Sequence, residues 1–156
     1  MSARRERECI AGIDYGTVRI GIALVDMEIP IATPFENYTR GTEEDDAKYF
    51  ARLADQQDVV RFVVGLPVHL SGDDSTKSHE ARQFGQWLGD LTCVPVEFFD
   101  DRFTTSFARQ LMEGVGLTKK KRKARLDKLS AQLLLSAYLE REQGKSGHLL
   151  GLDDKQ

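Results

Sequence analysis

Cysteine is scarce in this chain of 156 residues, which has only Cys9 and Cys93. Both sit in apolar, strand-like runs and match no metal-ligand spacing, which excludes a disulfide framework and a thiolate metal site. Histidine is scarce too, and His69, His79 and His148 share no ligand spacing, so a zinc site is not expected. No segment approaches the roughly 20 apolar residues that a membrane helix requires. The opening MSARRERE is followed by an apolar run that is short and ends in an acid, so no secretory leader is expected and the cytoplasm is the expected compartment. Ser71, Ser75 and Ser78 lack the strand-turn-helix setting of a nucleophilic serine. A net charge of −3 excludes a uniformly basic coat.

The residues that are present describe a globular chain. A 40% hydrophobic and 30% charged composition suits one domain over residues 1–156, with 1–8 and 144–156 expected to be flexible. Charge is unevenly spread. Lys119, Lys120, Lys121, Arg122, Lys123 and Arg125 form a positive block with no acid before Asp127, whereas acids cluster elsewhere, as in Glu43–Asp46.

Strand-like runs come first: Cys9–Asp14, Arg19–Val25 and Ile29–Phe35, the last interrupted by Pro30 and Pro34 and so read as an edge strand. Thr42 is placed to cap a helix over Glu43–Gln57, in which Ala47, Phe50, Ala51 and Ala54 recur at helical spacing. Arg61–Leu66 and Val94–Phe99 read as buried parallel strands. Ala81, Phe84, Leu88 and Leu91 mark a helix between them, and Ala108, Leu111, Met112 and Val115 mark another after them. A final helix is expected to begin at Asp127, with Leu126, Leu129, Leu133 and Ala137 as its stripe. Three antiparallel strands followed by two parallel additions predict an α/β fold, a five-stranded mixed sheet with helices on both faces. Asp14, Gly65–Pro67 and Asp100–Arg102 then fall at strand carboxyl ends, where such sheets gather ligands.

Asp14 reads two ways. An acid at the mouth of a hairpin is a metal-binding carboxylate, or an Asx-turn acid bonded to Gly16 or Thr17. Asp100 and Asp101 are neighbours on a strand and should point to opposite faces, so one enters a site while the other pairs with Arg102 or caps the next helix. Asp127 lies in line with Ala131, Leu134 and Tyr138 and should face the body of the protein, although a first-turn acid there also fits the helix dipole. The basic block either holds nucleic-acid phosphates or is a solvated loop; it carries no stacking aromatics, so base recognition is not implied.

Four motifs in order, GIDYGTVRIGIA, VVGLPVHLSGDDS, FFDDRFTT and LDKLSAQLLLSAYLE, resemble those of the YqgF (RuvX-like) family of the RNase H-like superfamily over Ile10 to Glu140. Members are described as Holliday junction resolvases and as nucleases that mature precursor 16S ribosomal RNA. The resemblance implies an RNase H-like fold and a metal-dependent nuclease using Mg²⁺ or Mn²⁺, with two ions. By that resemblance Asp14, Asp101 and Asp127 are the catalytic metal ligands, Asp14 bridging the ions, while Asp100, Arg102, Gly65 and Pro67 support them. Arg19 and the Lys119–Arg125 block would grip the flanking backbone. Two departures stand out: Asp101 replaces the usual Glu, shortening its reach by one methylene, and Ser130 replaces the first of a usual Ala pair.

The implied activity is 5′-end processing of precursor 16S ribosomal RNA, with nucleic acid, the ribosome included, as partner and a monomer or weak homodimer as the state. The alternatives are a DNA four-way-junction resolvase, which predicts a two-fold dimer, and a non-catalytic RNA-binding ribosome-assembly factor. An actin-like phosphotransferase shares the Asp14–Thr17 pattern but uses two related domains, and one set of motifs is found here.

Overall fold

A computed structural model describes residues 8–66, 76–100 and 118–154, with the backbone alone at 119, over 122–128 and over 145–154. Strand β1 (Cys9–Asp14) is central and almost wholly buried; β2 (Arg19–Asp26) folds back on it antiparallel, and β3 (Thr33–Thr39) pairs antiparallel with β2 at the edge. Helix α1 (Glu43–Gln56) follows, then β4 (Val59–Leu66), α2 (Thr76–Thr92), β5 (Val96–Asp100) and α3 (Lys119–Asp154). The sheet order is β3-β2-β1-β4-β5, with β4 parallel to β1 and β5 parallel to β4. This is the five-stranded mixed sheet that the order of the runs predicts.

Strand alternation divides the core in two. Ala11, Ile13, Ile20, Ile22, Phe62 and Val64 face α1 and α2, where they meet Phe50, Leu53, Phe84 and Leu88. Ile10, Ala23, Val25, Val63 and Phe99 face α3 and meet Ala131, Leu134, Leu135 and Tyr138. Helix α1 starts where Thr42 predicts: the Thr42 hydroxyl accepts from the Asp45 N–H at 3.1 Å, and the Asp45 carboxylate accepts from the Thr42 N–H at 3.2 Å. This reciprocal pair satisfies donors that the first turn would otherwise leave bare.

Several boundaries differ from the sequence reading by one or two residues, as where β4 starts at Val59 rather than Arg61 and β5 runs Val96–Asp100 rather than Val94–Phe99, and two elements differ by more. The third strand runs Thr33–Thr39 rather than Ile29–Phe35. Ile29 and Ile31 lie in the connection, 62% and 66% exposed, so their apolar character does not report burial. The last helix starts at Lys119, not Asp127, because the Lys/Arg run consists of good helix formers with no glycine or proline to interrupt it. Thr118 marks its start, the hydroxyl accepting from the Lys121 N–H at 3.3 Å. Asp127 therefore stands two turns inside the helix, and the basic block forms the helix's opening turns. The expected helix around Ala108–Val115 lies outside the described residues.

Candidate active site

Strand β1 delivers Asp14 to the carboxyl edge of the sheet. Its partner across the β1–β2 ladder is Gly21, and Gly21 in turn is opposite Asn37 of β3. On the other side Gly65 follows Val64, the partner of Ile13, and is itself opposite Phe99. Directly paired residues share a face, so Asn37, Gly21, Asp14, Gly65 and Phe99 form one row on the α3 side. Asp14 is thus flanked on both neighbouring strands by glycine.

The turn after Asp14 is held tightly. A Cβ at Gly16 would collide with the Arg19 carbonyl oxygen, so only glycine fits there. Arg40 reaches the turn from the end of β3, its Nη1 donating to the Tyr15 hydroxyl at 3.1 Å and to the Gly16 carbonyl at 3.5 Å. Arg40 is anchored by Asp46, whose Oδ2 accepts from Arg40 Nε at 3.0 Å. Asp46 Oδ1 accepts from the Tyr38 hydroxyl at 2.8 Å and the Gly41 N–H at 3.0 Å. Burial alone would raise the Asp46 pKa, but those three hydrogen bonds and the Arg40 charge outweigh it and hold the carboxyl below its ordinary value. Burial and the adjacent carboxylate push the Tyr38 phenol up to about 12. Arg40 also lies 5.4 Å over the Tyr15 ring.

Helix α3 runs antiparallel to β1. A Cβ on Gly12 would lie 3.0 Å from Leu135 Cβ and 3.2 Å from the Ala131 carbonyl, so the helix rests directly on the strand there. Further along, the Tyr138 hydroxyl accepts from Arg61 Nη1 at 2.8 Å, near the amino end of β4. The helix therefore rises toward its own N-terminus as β1 rises toward Asp14. Asp127, one turn before Ala131, falls on the segment that passes the Asp14 end, and the Lys119–Arg125 turns lie beyond it. Lys120 and Lys121 are exposed.

Asp100 is opposite Leu66 and follows Phe99, which faces α3, so Asp100 stands on the α2 side, away from the Asp14 row. Asp101, Arg102 and Pro67 lie outside the described residues. Among the described residues no three His, Cys, Asp or Glu side chains converge as a metal cluster. Of the three expected ligands, only Asp14 has a described side chain. The row nevertheless fits a hard divalent cation, because it offers a half-buried carboxylate oxygen on an open, glycine-flanked floor.

A cleft of about 540 Å³ opens over this edge, lined by Asp14, the turn residues Tyr15 to Arg19, Gly21 and Gly65. Asn37, Lys77 and Glu80 also line it, and none of the three stands out in the sequence. Lys77 enters through the packing of α2, and Asn37 through strand pairing. Alternation within β3 is the signal that could have exposed Asn37, since Tyr38 takes the α1 face and leaves its neighbour on the other.

The family described as "RuvX: Holliday junction resolvase" matches residues 8–141. A protein of Rhodopirellula baltica named "Putative pre-16S rRNA nuclease" is 44% identical over 144 residues, covering 90% of this chain and 83% of the relative. A protein of Koribacter versatilis with the same name is 36% identical over 132 residues, covering 85% and 86%. Among solved structures, Thermus thermophilus RuvC in complex with a Holliday junction substrate superposes with a TM-score of 0.57 at 15% identity, covering 88% of this chain and 96% of that one. At that identity the likeness concerns the fold alone. The match over residues 8–141, with relatives at this identity along nearly their whole length, makes the chain a member of the RuvX family.

Proposed function

We propose that this chain is a metal-dependent endonuclease that hydrolyses phosphodiester bonds in precursor 16S ribosomal RNA. The observation that carries the reading is the placement of Asp14 on a glycine-flanked row at the sheet's carboxyl edge, with the Asp127 turn of α3 passing the same end. Asp14, Asp101 and Asp127 would hold Mg²⁺ or Mn²⁺, two ions being the natural count for three shared carboxylates. Asp101 is preferred to Asp100 because Asp100 faces α2. When bound, the metal supplies an activated water and charge for the leaving oxygen.

The remaining roles belong to the chain itself. Gly21 and Gly65 leave room for a phosphate to approach Asp14, and Gly65 and Pro67 are assigned supporting roles on the strength of their motif. The Arg40–Tyr15–Gly16 contacts fix the turn that aims the carboxylate. Arg19, exposed beside the cleft, and Lys119, Lys120, Lys121, Arg122, Lys123 and Arg125 at the start of α3 would hold flanking phosphates, each contact making binding weaken with salt. Arg102 would neutralise phosphate charge or hold Asp100. RNA is preferred to a DNA junction because the names of relatives at 36–44% identity point to RNA, whereas the junction-bound likeness is one of fold. Two core clusters sharing one sheet support a single domain. No described helix is long and apolar enough to cross a membrane, which is in keeping with the proposed work in the cytoplasm.

The test is cleavage of labelled precursor ribosomal RNA and of a four-way DNA junction, side by side, with Mg²⁺ or Mn²⁺, by the wild type and Asp14→Asn. Cleavage of RNA alone, lost by at least about a hundredfold in the variant, supports the reading. Symmetric cutting of the junction replaces it with a resolvase, and RNA binding without any cutting replaces it with an assembly factor.

A further inference from the structure

We infer that Asn37 is a substrate-positioning residue of the Asp14 cleft, holding the sugar-phosphate backbone of a nucleotide next to the bond that is cut. The inference rests on the nuclease reading above and adds to it a residue that neither the motifs nor the basic block contain.

Three observations support it. First, the register sets Asn37 opposite Gly21 and Gly21 opposite Asp14, so the carboxamide and the carboxylate rise from the same face, two strands apart. At about 4.8 Å per strand their backbones are roughly 10 Å apart, a span open to a nucleotide because the residue between them is glycine. Second, Asn37 and Asp14 line the same cleft. Third, Asn37 is exposed, and among the described residues its carboxamide has no hydrogen-bond partner, while its neighbours on either side are engaged. Tyr38 bonds Asp46, and Glu36 accepts from the Tyr49 hydroxyl at 2.5 Å, both on the α1 face. Asparagine is a poor strand former, so neither strand propensity nor packing accounts for it here.

The chemistry suits the backbone of a nucleic acid rather than its bases. A carboxamide offers two donors and an acceptor. It can give a hydrogen bond to a phosphate oxygen, or exchange one with a ribose 2′-hydroxyl, which is itself donor and acceptor. Both are oxygens of the same backbone unit, and the experiment separates them.

Wild type, Asn37→Ala and Asn37→Asp would be compared in single-turnover cleavage of a short precursor-RNA substrate, with binding of the same RNA measured by fluorescence anisotropy. A matched set of substrates carries one 2′-deoxy substitution at each nucleotide flanking the cut. The loss of one hydrogen bond predicts a roughly three- to tenfold fall in cleavage by Asn37→Ala, with the melting temperature unchanged because the side chain is exposed. If the ribose is the partner, one deoxy position slows the wild type by a similar factor and leaves Asn37→Ala unaffected. If a phosphate is the partner, no deoxy position distinguishes the two proteins, and Asn37→Asp is worse than Asn37→Ala in both binding and cleavage. Wild-type cleavage with Asn37→Ala equal to it on every substrate overturns the inference and leaves the nuclease reading intact. Absence of cleavage by the wild type itself overturns both.

Discussion

Replacing Asp46 with asparagine should damage both stability and the site, for a reason that can be read atom by atom. The two carboxylate oxygens have different work. Oδ1 accepts from the Tyr38 hydroxyl and the Gly41 N–H, while Oδ2 accepts from Arg40 Nε at 3.0 Å. An asparagine carbonyl can take the Oδ1 place and keep two of the three bonds, but its NH₂ then meets the Arg40 N–H, donor against donor. What is lost is one charge-assisted bond, about 1.5–3 kcal/mol. Stranding a fully buried charge costs about 3–5 kcal/mol, but the Arg40 side chain is 26% exposed and water can reach it. We expect about 2 kcal/mol, a fall in Tm of roughly 4–8 °C for a chain of this size.

The pH dependence should change as well. The native Asp46 pKa is depressed, so its contribution is complete above the unfolded value of about 3.9 and drains away as the pH falls toward the native one. Asp46→Asn should therefore flatten the acid limb of the stability curve. Because Arg40 also holds Tyr15 and Gly16, cleavage should fall by about tenfold beyond what unfolding explains. Thermal melts of Asp46→Asn, Arg40→Ala and the double variant test this. A Tm within 1 °C of wild type, or an equal loss in the Arg40→Ala background, would refute the reasoning.

Gly12→Ala forces a methyl against Leu135 and the Ala131 carbonyl; overpacking of about 1–3 kcal/mol, set against a smaller gain from a stiffer unfolded chain, should lower the Tm while displacing α3 enough to cut cleavage more than tenfold. Tyr138→Phe removes bonds to Arg61 and Glu97, both partly exposed, and should cost about 0.5–1.5 kcal/mol in urea unfolding with cleavage unchanged, since it lies toward the opposite end of the sheet. Burial raises the Cys9 thiol to about 11, whereas Cys93 is exposed, so a thiol reagent at pH 8 should label Cys93 promptly and Cys9 only on unfolding.

Much of this fold could be read from local pattern. The bounds of β1 are those of its apolar run, because Asp14 and Gly16 end it chemically as well as conformationally. The cap at Thr42 is a local hydrogen-bond exchange and needs no tertiary context. The pattern misleads where burial depends on distant segments: Ile29 and Ile31 look like strand residues, yet both are exposed, and the Lys/Arg run looks like a loop by charge although its propensity is helical. The carboxylates were legible as candidates, Asp14 by its position and the others through the family motifs. Strand alternation posed the choice between Asp100 and Asp101, but it took the pairing of β5 to show which face Asp100 occupies. Alternation in β3 could have shown the face of Asn37, but its place beside Asp14, like the Arg40–Asp46 anchor, gains meaning only from residues brought together by pairing or packing.

The row that carries Asp14 also has a gradient of local stability along it. Asp14 belongs to the strand with two paired neighbours and a helical layer on each face, so its amides should open only when the whole molecule does. Asn37 belongs to β3, paired on one side and exposed along much of its length, and such edges open at far lower free energy. One cleft thus joins a wall at the global stability of the protein to a wall that can breathe on its own. Hydrogen exchange should show the difference as slow protection in β1 and fast in β3. A bound strand would then be released by loosening at the edge, while the carboxylate that orients the reaction stays in place for the next one.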